Sequence, residues 1–165
     1  MRRVLLAVRS LVLATGFVWL WGWIALSVRA FDGRWRMGLP AWSHVAGIPL
    51  LIAGGGLGIA CVLAFLWIGR GTPAPFDPPR EFVAAGPYRL LRNPMYVGGW
   101  LMLVGFALQQ GSLSMLVFSL CWLTVVHLLV VTLEEPGLRK RFGASYEVYC
   151  QRVPRWIPGR RRPPE

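Results

Sequence analysis

The sequence predicts an all-α, polytopic membrane protein with four transmembrane helices, a long ordered cytoplasmic loop and a C-terminal helix on the membrane surface. Hydrophobic residues make up 55% of the 165 residues and the mean hydropathy is +0.50, unlike an ordinary soluble domain. The apolar residues form uncharged runs about as long as the ~30 Å hydrocarbon layer of a bilayer. Basic residues flank these runs. We therefore expect residues 1–165 to form a single integral membrane domain.

The first predicted span covers residues 10–28, which carry no charge over 19 positions. Arg2 and Arg3 precede it, as basic residues do in a cleaved signal peptide. The apolar stretch is longer than the usual signal-peptide core of about 7 to 15 residues, so an uncleaved span is favoured.

Three further spans are expected at about 45–68, 95–109 and 113–133. Only the sequence QQGS separates the last two, which predicts a tight helical hairpin. The third span is short, so it would cross with little tilt or begin among the lipid headgroups.

Glycines recur within the spans at spacings that allow close contact between helices. Gly54 and Gly58 form a small-xxx-small pair, and Gly98 and Gly105 are seven residues apart on one face of the third span. For most of these glycines we expect helix packing and not ligand contact.

The formal net charge of +11 is compatible with a nucleic-acid or a membrane partner. Nucleic acid is disfavoured because the basic residues form no patch with interleaved aromatic residues. With the N-terminus in the cytoplasm, all basic residues except Arg29, Arg34 and Arg36 lie on the cytoplasmic side. We expect a multi-pass protein among the lipids of a prokaryotic cytoplasmic membrane, with both termini in the cytoplasm.

The three cysteines, Cys61, Cys121 and Cys150, form no CxxC pair, and two of them lie in apolar runs. The pattern indicates neither a disulfide framework nor a metal site. We expect small apolar side chains and no bound metal.

Residues 69–94, "GRGTPAPFDPPREFVAAGPYRLLRNP", form the predicted loop. Its six prolines and three glycines make it too long and irregular for a simple connector. Disorder is the alternative, but Phe76, Phe82 and Tyr88 favour an ordered, functional loop.

The end of this loop, "GPYRLLRNPMYVGG", contains a helix start. Asn93 is a typical helix-capping residue, and Pro94 at the first helical position loses no hydrogen bond. A helix N-terminus beside Arg92 is suited to a carboxylate or phosphate. Tyr96 and Gly98 on the first turn would present a hydroxyl and an open backbone to the same ligand.

The tail predicts an amphipathic helix at about residues 136–151. Its apolar stripe repeats at spacings of four, four and three residues and consists of Leu138, Phe142, Tyr146 and Tyr149. Such a helix would lie on the cytoplasmic membrane surface.

Two adjacent acids, Glu134 and Glu135, follow the last span directly. If Pro136 starts the tail helix, both acids lie near its N-terminus, where negative charge is favourable. His127 lies seven residues before Glu134, about two turns along the same helix face. It is interpreted either as a hydrogen-bonded packing residue or as a ligand contact facing a cavity.

The two segments "GPYRLLRNPMYVGG" and "EEPGLRKRFGASYEVYCQRVPRWIP" together resemble the isoprenylcysteine carboxyl methyltransferase family and its relatives, the phospholipid N-methyltransferases. Those enzymes carry an Arg-His-Pro-x-Tyr-x-Gly element, a helical hairpin, a Glu-Glu pair and a Phe-Gly-x-x-Tyr tail. The resemblance covers about residues 86–158. Asn93 stands where the carboxyl methyltransferases have His, and this form is more similar to the phospholipid enzymes.

The resemblance implies an integral membrane methyltransferase that uses S-adenosylmethionine. It implies a cofactor site in which one wall consists of Arg92, Asn93, Pro94, Tyr96 and Gly98. Glu134 and Glu135 would form another wall, and Tyr88 and His127 complete the candidate cofactor-binding residues. A Gly-x-Gly element at Gly69 and Gly71 is a further, weaker match.

Methyl transfer from a sulfonium depends mainly on positioning and electrostatics. A carboxylate acceptor would be held by Arg92 or Arg89, whereas an amine acceptor would lose its proton to Glu135 or to water. These three residues are the candidate catalytic residues. The acceptor is expected to be a lipid or another amphipathic molecule that enters from the bilayer.

Two other classes of function fit the pattern. Sterol reductases have a similar membrane core and bind NADPH there, and the loop and the arginines would serve that cofactor too. The second alternative is a non-catalytic four-helix membrane protein.

Overall fold

The computed structural model describes residues 2–35, 38–69 and 84–158. Within these ranges the protein is helical and contains no strand. The α-helices are α1 (Arg2–Trp35), α2 (Ser43–Ala64), α3 (Pro94–Gln109), α4 (Leu113–Leu129), α5 (Glu135–Phe142) and α6 (Ala144–Arg152). A π-helical turn, Phe65–Gly69, extends α2, a second one, Val130–Glu134, joins α4 to α5, and a 3₁₀ turn covers Gly86–Arg89. The all-α prediction is confirmed.

Three helical stretches are long and apolar enough to cross a membrane, namely Leu11–Arg34, Ser43–Trp67 and Leu113–Phe142. α3 is apolar but has only 16 residues. The chain is therefore a membrane protein, while a fourth crossing by α3 stays a prediction. Most of the expected loop, with Gly71, Phe76 and Phe82, lies outside the described residues.

α2 and α3 pack through glycines, as the sequence predicted. A Cβ atom on Gly54 would lie 2.6 Å from the carbonyl oxygen of Gly98, and one on Gly105 would lie 2.8 Å from that of Gly47. The two backbones are thus in direct contact, and even alanine would not fit without a shift. Gly58 differs, because a Cβ there would meet nothing within 4 Å.

The apolar core lies between α1, α3 and α4. Its buried members are Ala25, Leu103, Ala107, Met115, Trp122, Val126 and Val130. Trp21 of α1 packs edge-on against Trp122 with ring centroids 5.8 Å apart. This contact fixes α1 against α4.

The predicted tight turn between α3 and α4 is present. Gly111 adopts a φ of 61°, and the Ser112 hydroxyl caps α4 by accepting a hydrogen bond from the Met115 amide at 3.1 Å. Two side chains of α1 bond to the turn and to the start of α4, and one side chain of α3 bonds to α2. We call these three contacts the hairpin clamp. These contacts run from Arg29 Nη1 to Gln110 Oε1 at 2.6 Å, from the Ser114 amide to Asp32 Oδ1 at 2.9 Å, and from Gln109 Nε2 to the His44 carbonyl oxygen at 2.7 Å.

The prediction of a single tail helix at about residues 136–151 is wrong in two respects. The chain remains helical from α4 through the π turn into α5, so Pro136 does not begin a separate helix. The tail then breaks at Gly143, whose φ of 53° is incompatible with a continuous helix. Two short helices, α5 and α6, result.

The π turn has a clear cause in the sequence. Pro136 has no N–H and its ring clashes with the carbonyl group four residues earlier, so a regular α-helix cannot pass through it. The helix widens instead, and the Glu135 amide bonds to the Val130 carbonyl oxygen five residues back. The buried face of α4, with Trp122, Val126 and Val130 at intervals of four, therefore continues at Glu135 and not at Glu134.

Candidate functional site

A small cavity of about 80 Å³ lies where the start of α3 meets the π turn and α6. Its polar lining consists of Arg92 and Asn93 from the end of the loop and of Glu134 and Glu135 from the π turn and the start of α5. Two segments that are more than forty residues apart in the sequence thus form a single polar wall.

Glu135 is the most heavily paired carboxylate at this site and is only 3% exposed. Arg92 Nη1 donates to its Oε1 at 2.8 Å, and Arg155 donates to both oxygens, from Nε at 2.7 Å and from Nη2 at 2.9 Å. Arg139 adds a longer ion pair at 3.6 Å. A buried carboxylate is tolerated only with such pairing, so Glu135 serves as the anchor of the cluster.

Arg92 is buried and connects three parts of the chain. Its amide donates to the Pro154 carbonyl oxygen at 2.9 Å, and its Nη1 also contacts Cys150 Sγ at 3.2 Å. Its Nε, however, is buried and has no hydrogen-bond partner among the described residues. An unsatisfied buried donor costs about 1–3 kcal/mol, which an acceptor atom of a ligand would recover.

Glu134 differs from its neighbour. Its Oε1 accepts a hydrogen bond from the Tyr96 hydroxyl, and its Oε2 accepts none within the described part of the chain. Glu134 also lines the cavity. One acid is therefore saturated by arginines, whereas the other has an oxygen with no hydrogen-bond partner among the described residues.

The helix start at Pro94 is confirmed, but the predicted capping role of Asn93 is wrong. The Asn93 side chain makes no capping hydrogen bond, and its Nδ2 donates to the Arg155 carbonyl oxygen at 3.4 Å instead. The competing acceptor comes from the C-terminal segment, which passes beside the start of α3. Pro94 itself is fully buried at the first position of the helix.

Aromatic side chains complete the cavity. Tyr88 packs edge-on against Phe65 with centroids 5.4 Å apart, and Tyr149 donates to the Tyr88 carbonyl oxygen at 2.6 Å. Tyr146 stacks obliquely beside Tyr149. Burial raises the pKa of Tyr88, Tyr146 and Tyr149 above the ordinary phenol value, so all three hydroxyls are neutral at physiological pH.

Residues 153–158 follow α6 without forming a helix, and we call them the C-terminal strap. Besides the Arg155 ion pair, the strap carries Trp156, whose Nε1 donates to His127 Nδ1 at 3.0 Å. Val153 is buried and packs with Tyr146 and Tyr149. The strap thus connects α4, α5 and Arg92, which lies just before α3.

A family model described as phospholipid methyltransferase matches residues 42–145, which is more than half of the chain. The chain belongs to this family. The match confirms the resemblance noted in the sequence and indicates a membrane methyltransferase. No curated protein and no solved structure gives a significant match.

The part of the chain that matches the phospholipid methyltransferase family includes the polar wall of the cavity. The strap and most of α6 lie beyond the matched range. The acids and Arg92 therefore belong to the family region, whereas Arg155 comes from a segment that the match does not cover.

Five predicted site residues are not among those that line the cavity. Pro94 is buried at the start of α3, and Tyr96 contacts the site through its hydrogen bond to Glu134. Gly98 faces Gly54 of α2, Arg89 is exposed at the end of the 3₁₀ turn, and His127 is exposed and bonded to Trp156. His127 and Glu134 do not share a face because the intervening π turn rotates the helix by about one residue.

Sequence reasoning missed the role of Arg155 and Trp156. Both lie in the proline-rich end of the resembling tail segment, "VPRWIP", for which no contact with the acids was predicted. An arginine placed between two prolines in a segment that cannot be helical was the available signal, since such a segment presents side chains independently of any helix face.

Proposed function

We propose that the protein uses S-adenosylmethionine to methylate a lipid or another amphipathic acceptor, and that the cavity between Arg92 and Glu134 holds the cofactor. Two observations carry the proposal. The buried Nε of Arg92 has no hydrogen-bond partner among the described residues, and one carboxylate oxygen of Glu134 has none either. Both residues line the same cavity, within the range matched by the methyltransferase family.

The residues present suit the chemical groups of this cofactor. When bound, S-adenosylmethionine supplies an electrophilic methyl group on a sulfonium sulfur. Arg92 suits a carboxylate, and Glu134 suits hydroxyl or cationic groups. The neutral aromatic side chains of Tyr88 and Tyr146 suit contact with the flat aromatic base of the cofactor.

For the acceptor we infer a phospholipid amine. An amine loses a proton during methylation, which requires an acceptor for that proton. Glu135, the predicted base, is fully engaged by Arg92 and Arg155. Glu134 is therefore assigned that role, either directly or through water. The apolar helices place the protein in a membrane, which supports a lipid as the acceptor.

The class of function is tested by titrating the detergent-purified protein with S-adenosylhomocysteine and, separately, with NADPH. Binding of the nucleoside but not of NADPH is expected. Transfer of labelled methyl groups to phosphatidylethanolamine, but not to a prenylated cysteine carboxylate, would identify the acceptor as an amine. Binding of NADPH alone would contradict the proposal and indicate a reductase, and binding of neither would indicate a non-catalytic protein.

The role of Glu134 is tested by Glu134→Gln, which keeps the side-chain shape and removes the charge. Affinity for S-adenosylmethionine should fall by about tenfold or more, as expected for the loss of a charged hydrogen-bond partner. Glu147→Gln is the matched control, because Glu147 is exposed on α6. Equal affinities in the two variants would remove Glu134 from the site.

A further inference from the structure

A second cavity, an apolar groove of about 330 Å³, lies between α1 and α4. Val28 and Phe31 line it from α1, and Leu113, Val117 and Cys121 line it from α4. Its volume reaches the range of about 300–1,000 Å³ that is typical of ligand pockets. The groove lies in the first half of α4, whereas Glu134 follows the end of that helix, about 20 Å further along than Cys121. The groove is therefore separate from the candidate cofactor site.

The groove faces the hydrocarbon layer of the membrane. Both of its walls belong to helical stretches that are long and apolar enough to cross a bilayer, Leu11–Arg34 and Leu113–Phe142. It opens outward, since Phe31 is 52% exposed and Val117 is 53% exposed. A helix of a second copy is about 10–12 Å across with its side chains and would lie over the groove. A single acyl chain is much thinner and fits inside it.

An apolar groove alone does not select one lipid from another. The surrounding acyl chains are as apolar as the helix surface, so selection requires a contact with the headgroup. Arg34 offers that contact, because it lies one turn after Phe31 in the last turn of α1 and is exposed. The Ser114 amide bonds to Asp32 at 2.9 Å, so this turn lies beside the first turn of α4, at the outer end of the groove.

Neither the fold nor the candidate site accounts for the charge of Arg34. Its neighbour Arg29 bonds to Gln110 of the hairpin clamp, whereas Arg34 forms no ion pair with any described residue. The charge distribution predicts Arg34 on the side of the membrane where basic residues are disfavoured. An arginine at a helix end extends its apolar stem along the hydrocarbon and places its guanidinium among the headgroups, where it can pair with a phosphate.

We propose that the groove binds one acyl chain of an anionic phospholipid, whose phosphate pairs with Arg34. An anionic headgroup is favoured because it contains no positive charge that competes with the guanidinium for the phosphate. The lipid fills the space between α1 and α4 and is distinct from the methyl acceptor, since the groove and the candidate site lie in opposite halves of α4. The lipid site does not depend on methyl transfer.

Photocrosslinking of the wild-type protein tests where the lipid lies. The protein is reconstituted into phosphatidylcholine vesicles that contain phosphatidylglycerol with a diazirine in its acyl chain. Phosphatidylcholine labelled at the same carbon corrects for depth in the membrane. Labelling by phosphatidylglycerol relative to phosphatidylcholine should be higher at residues 113–121 than at Val125 and Leu128, which are comparably exposed but do not line the groove. An equal ratio at the two segments would overturn the groove as the lipid site.

Native mass spectrometry of the detergent-purified protein tests the contact with Arg34. Arg34→Gln should reduce the preference for phosphatidylglycerol over phosphatidylcholine by about fivefold, the factor expected for one basic residue near anionic lipid. Arg34→Lys should keep most of the preference. Arg152→Gln, which removes the same charge from an exposed site on α6, should keep the wild-type preference. An equal preference in wild type and Arg34→Gln would overturn the headgroup contact.

Filling the groove tests the binding of the acyl chain. Val117→Trp places a large side chain in the groove and should abolish the lipid-bound form, whereas Val125→Trp, outside the groove, should retain it. Retention of phosphatidylglycerol by a Val117→Trp variant with wild-type circular dichroism would overturn the proposal. A wild-type dimer that dissociates in Val117→Trp without losing lipid would assign the groove to a second copy of the chain and would also overturn it.

Discussion

The two ends of the helical bundle both use arginine and carboxylate side chains, but they use them differently. At the hairpin clamp, Arg29 and Asp32 each bond to a neutral group of the turn, and these contacts are exposed or half-buried. At the candidate site, Glu135 gathers several arginines in a buried cluster, and Arg92 keeps an unsatisfied donor. Satisfied polar contacts thus hold the turn together, whereas the candidate site combines a fully paired acid with an unpaired buried donor, and the proposed cofactor site rests on that combination.

The largest effect is expected from breaking the buried cluster with Glu135→Ala. Arg92 would be left as an uncompensated buried charge, which typically costs about 3–5 kcal/mol. The midpoint of thermal unfolding in detergent should therefore fall strongly, and binding of S-adenosylhomocysteine should be lost. Glu147→Ala, at an exposed position, should change stability by less than about 0.5 kcal/mol. Equal unfolding midpoints in Glu135→Ala and Glu147→Ala would contradict the role of Glu135 as the anchor.

A smaller effect is expected between the two ends, at the contact of α2 with α3. Gly54→Ala places a methyl group against the Gly98 carbonyl oxygen and should cost about 1–3 kcal/mol. Gly55→Ala is the matched control, because a Cβ there meets nothing within 4 Å, and it should be neutral or slightly stabilising. Thermal unfolding of both variants measures the difference, and equal midpoints would show that the helices are not packed through Gly54.

The smallest effect is expected at the hairpin clamp. Asp32→Ala removes an acceptor from the first turn of α4 and should cost about 0.5–2 kcal/mol, as for other helix caps. Affinity for S-adenosylhomocysteine should stay the same because the clamp and the cavity share no residue. A matching loss of affinity in calorimetry would mean that the two ends are coupled.

Much of the fold was predictable because it follows from local composition. Uncharged apolar runs located the helices, Pro94 marked the start of α3, and the sequence QQGS gave the hairpin. The contact through Gly54, Gly98 and Gly105 followed from their spacing. These features depend on residues that are close in the sequence, so the pattern alone was sufficient.

The difference in burial and pairing between Glu134 and Glu135 was not predictable from helical spacing. A regular helix would continue the buried face of α4 at Glu134 and place His127 on the same side. The π turn caused by Pro136 moves that face by one residue, so that Glu135 is buried and paired. The sequence revealed the proline, but not that the helix would widen instead of ending.

The strap was unpredictable for a different reason. Arg155 and Trp156 lie in an irregular segment, where no periodicity relates a side chain to a partner. Their contacts with Glu135 and His127 depend on the tertiary arrangement of α5 and α6. The break at Gly143, which sets this arrangement, was missed when the tail was treated as a single helix.

The assignment of the cavity as the cofactor site is tested by the affinity of S-adenosylhomocysteine for Arg92→Gln and Arg89→Gln, measured by calorimetry in detergent. Both variants lose one arginine from neighbouring turns of the chain, but only Arg92 lines the cavity. We expect a loss of about tenfold or more in Arg92→Gln and wild-type affinity in Arg89→Gln. Arg92→Lys, which keeps the buried charge opposite Glu135, controls for misfolding and should bind with intermediate affinity. Wild-type affinity in a folded Arg92→Gln variant would contradict the assignment of the cavity as the cofactor site.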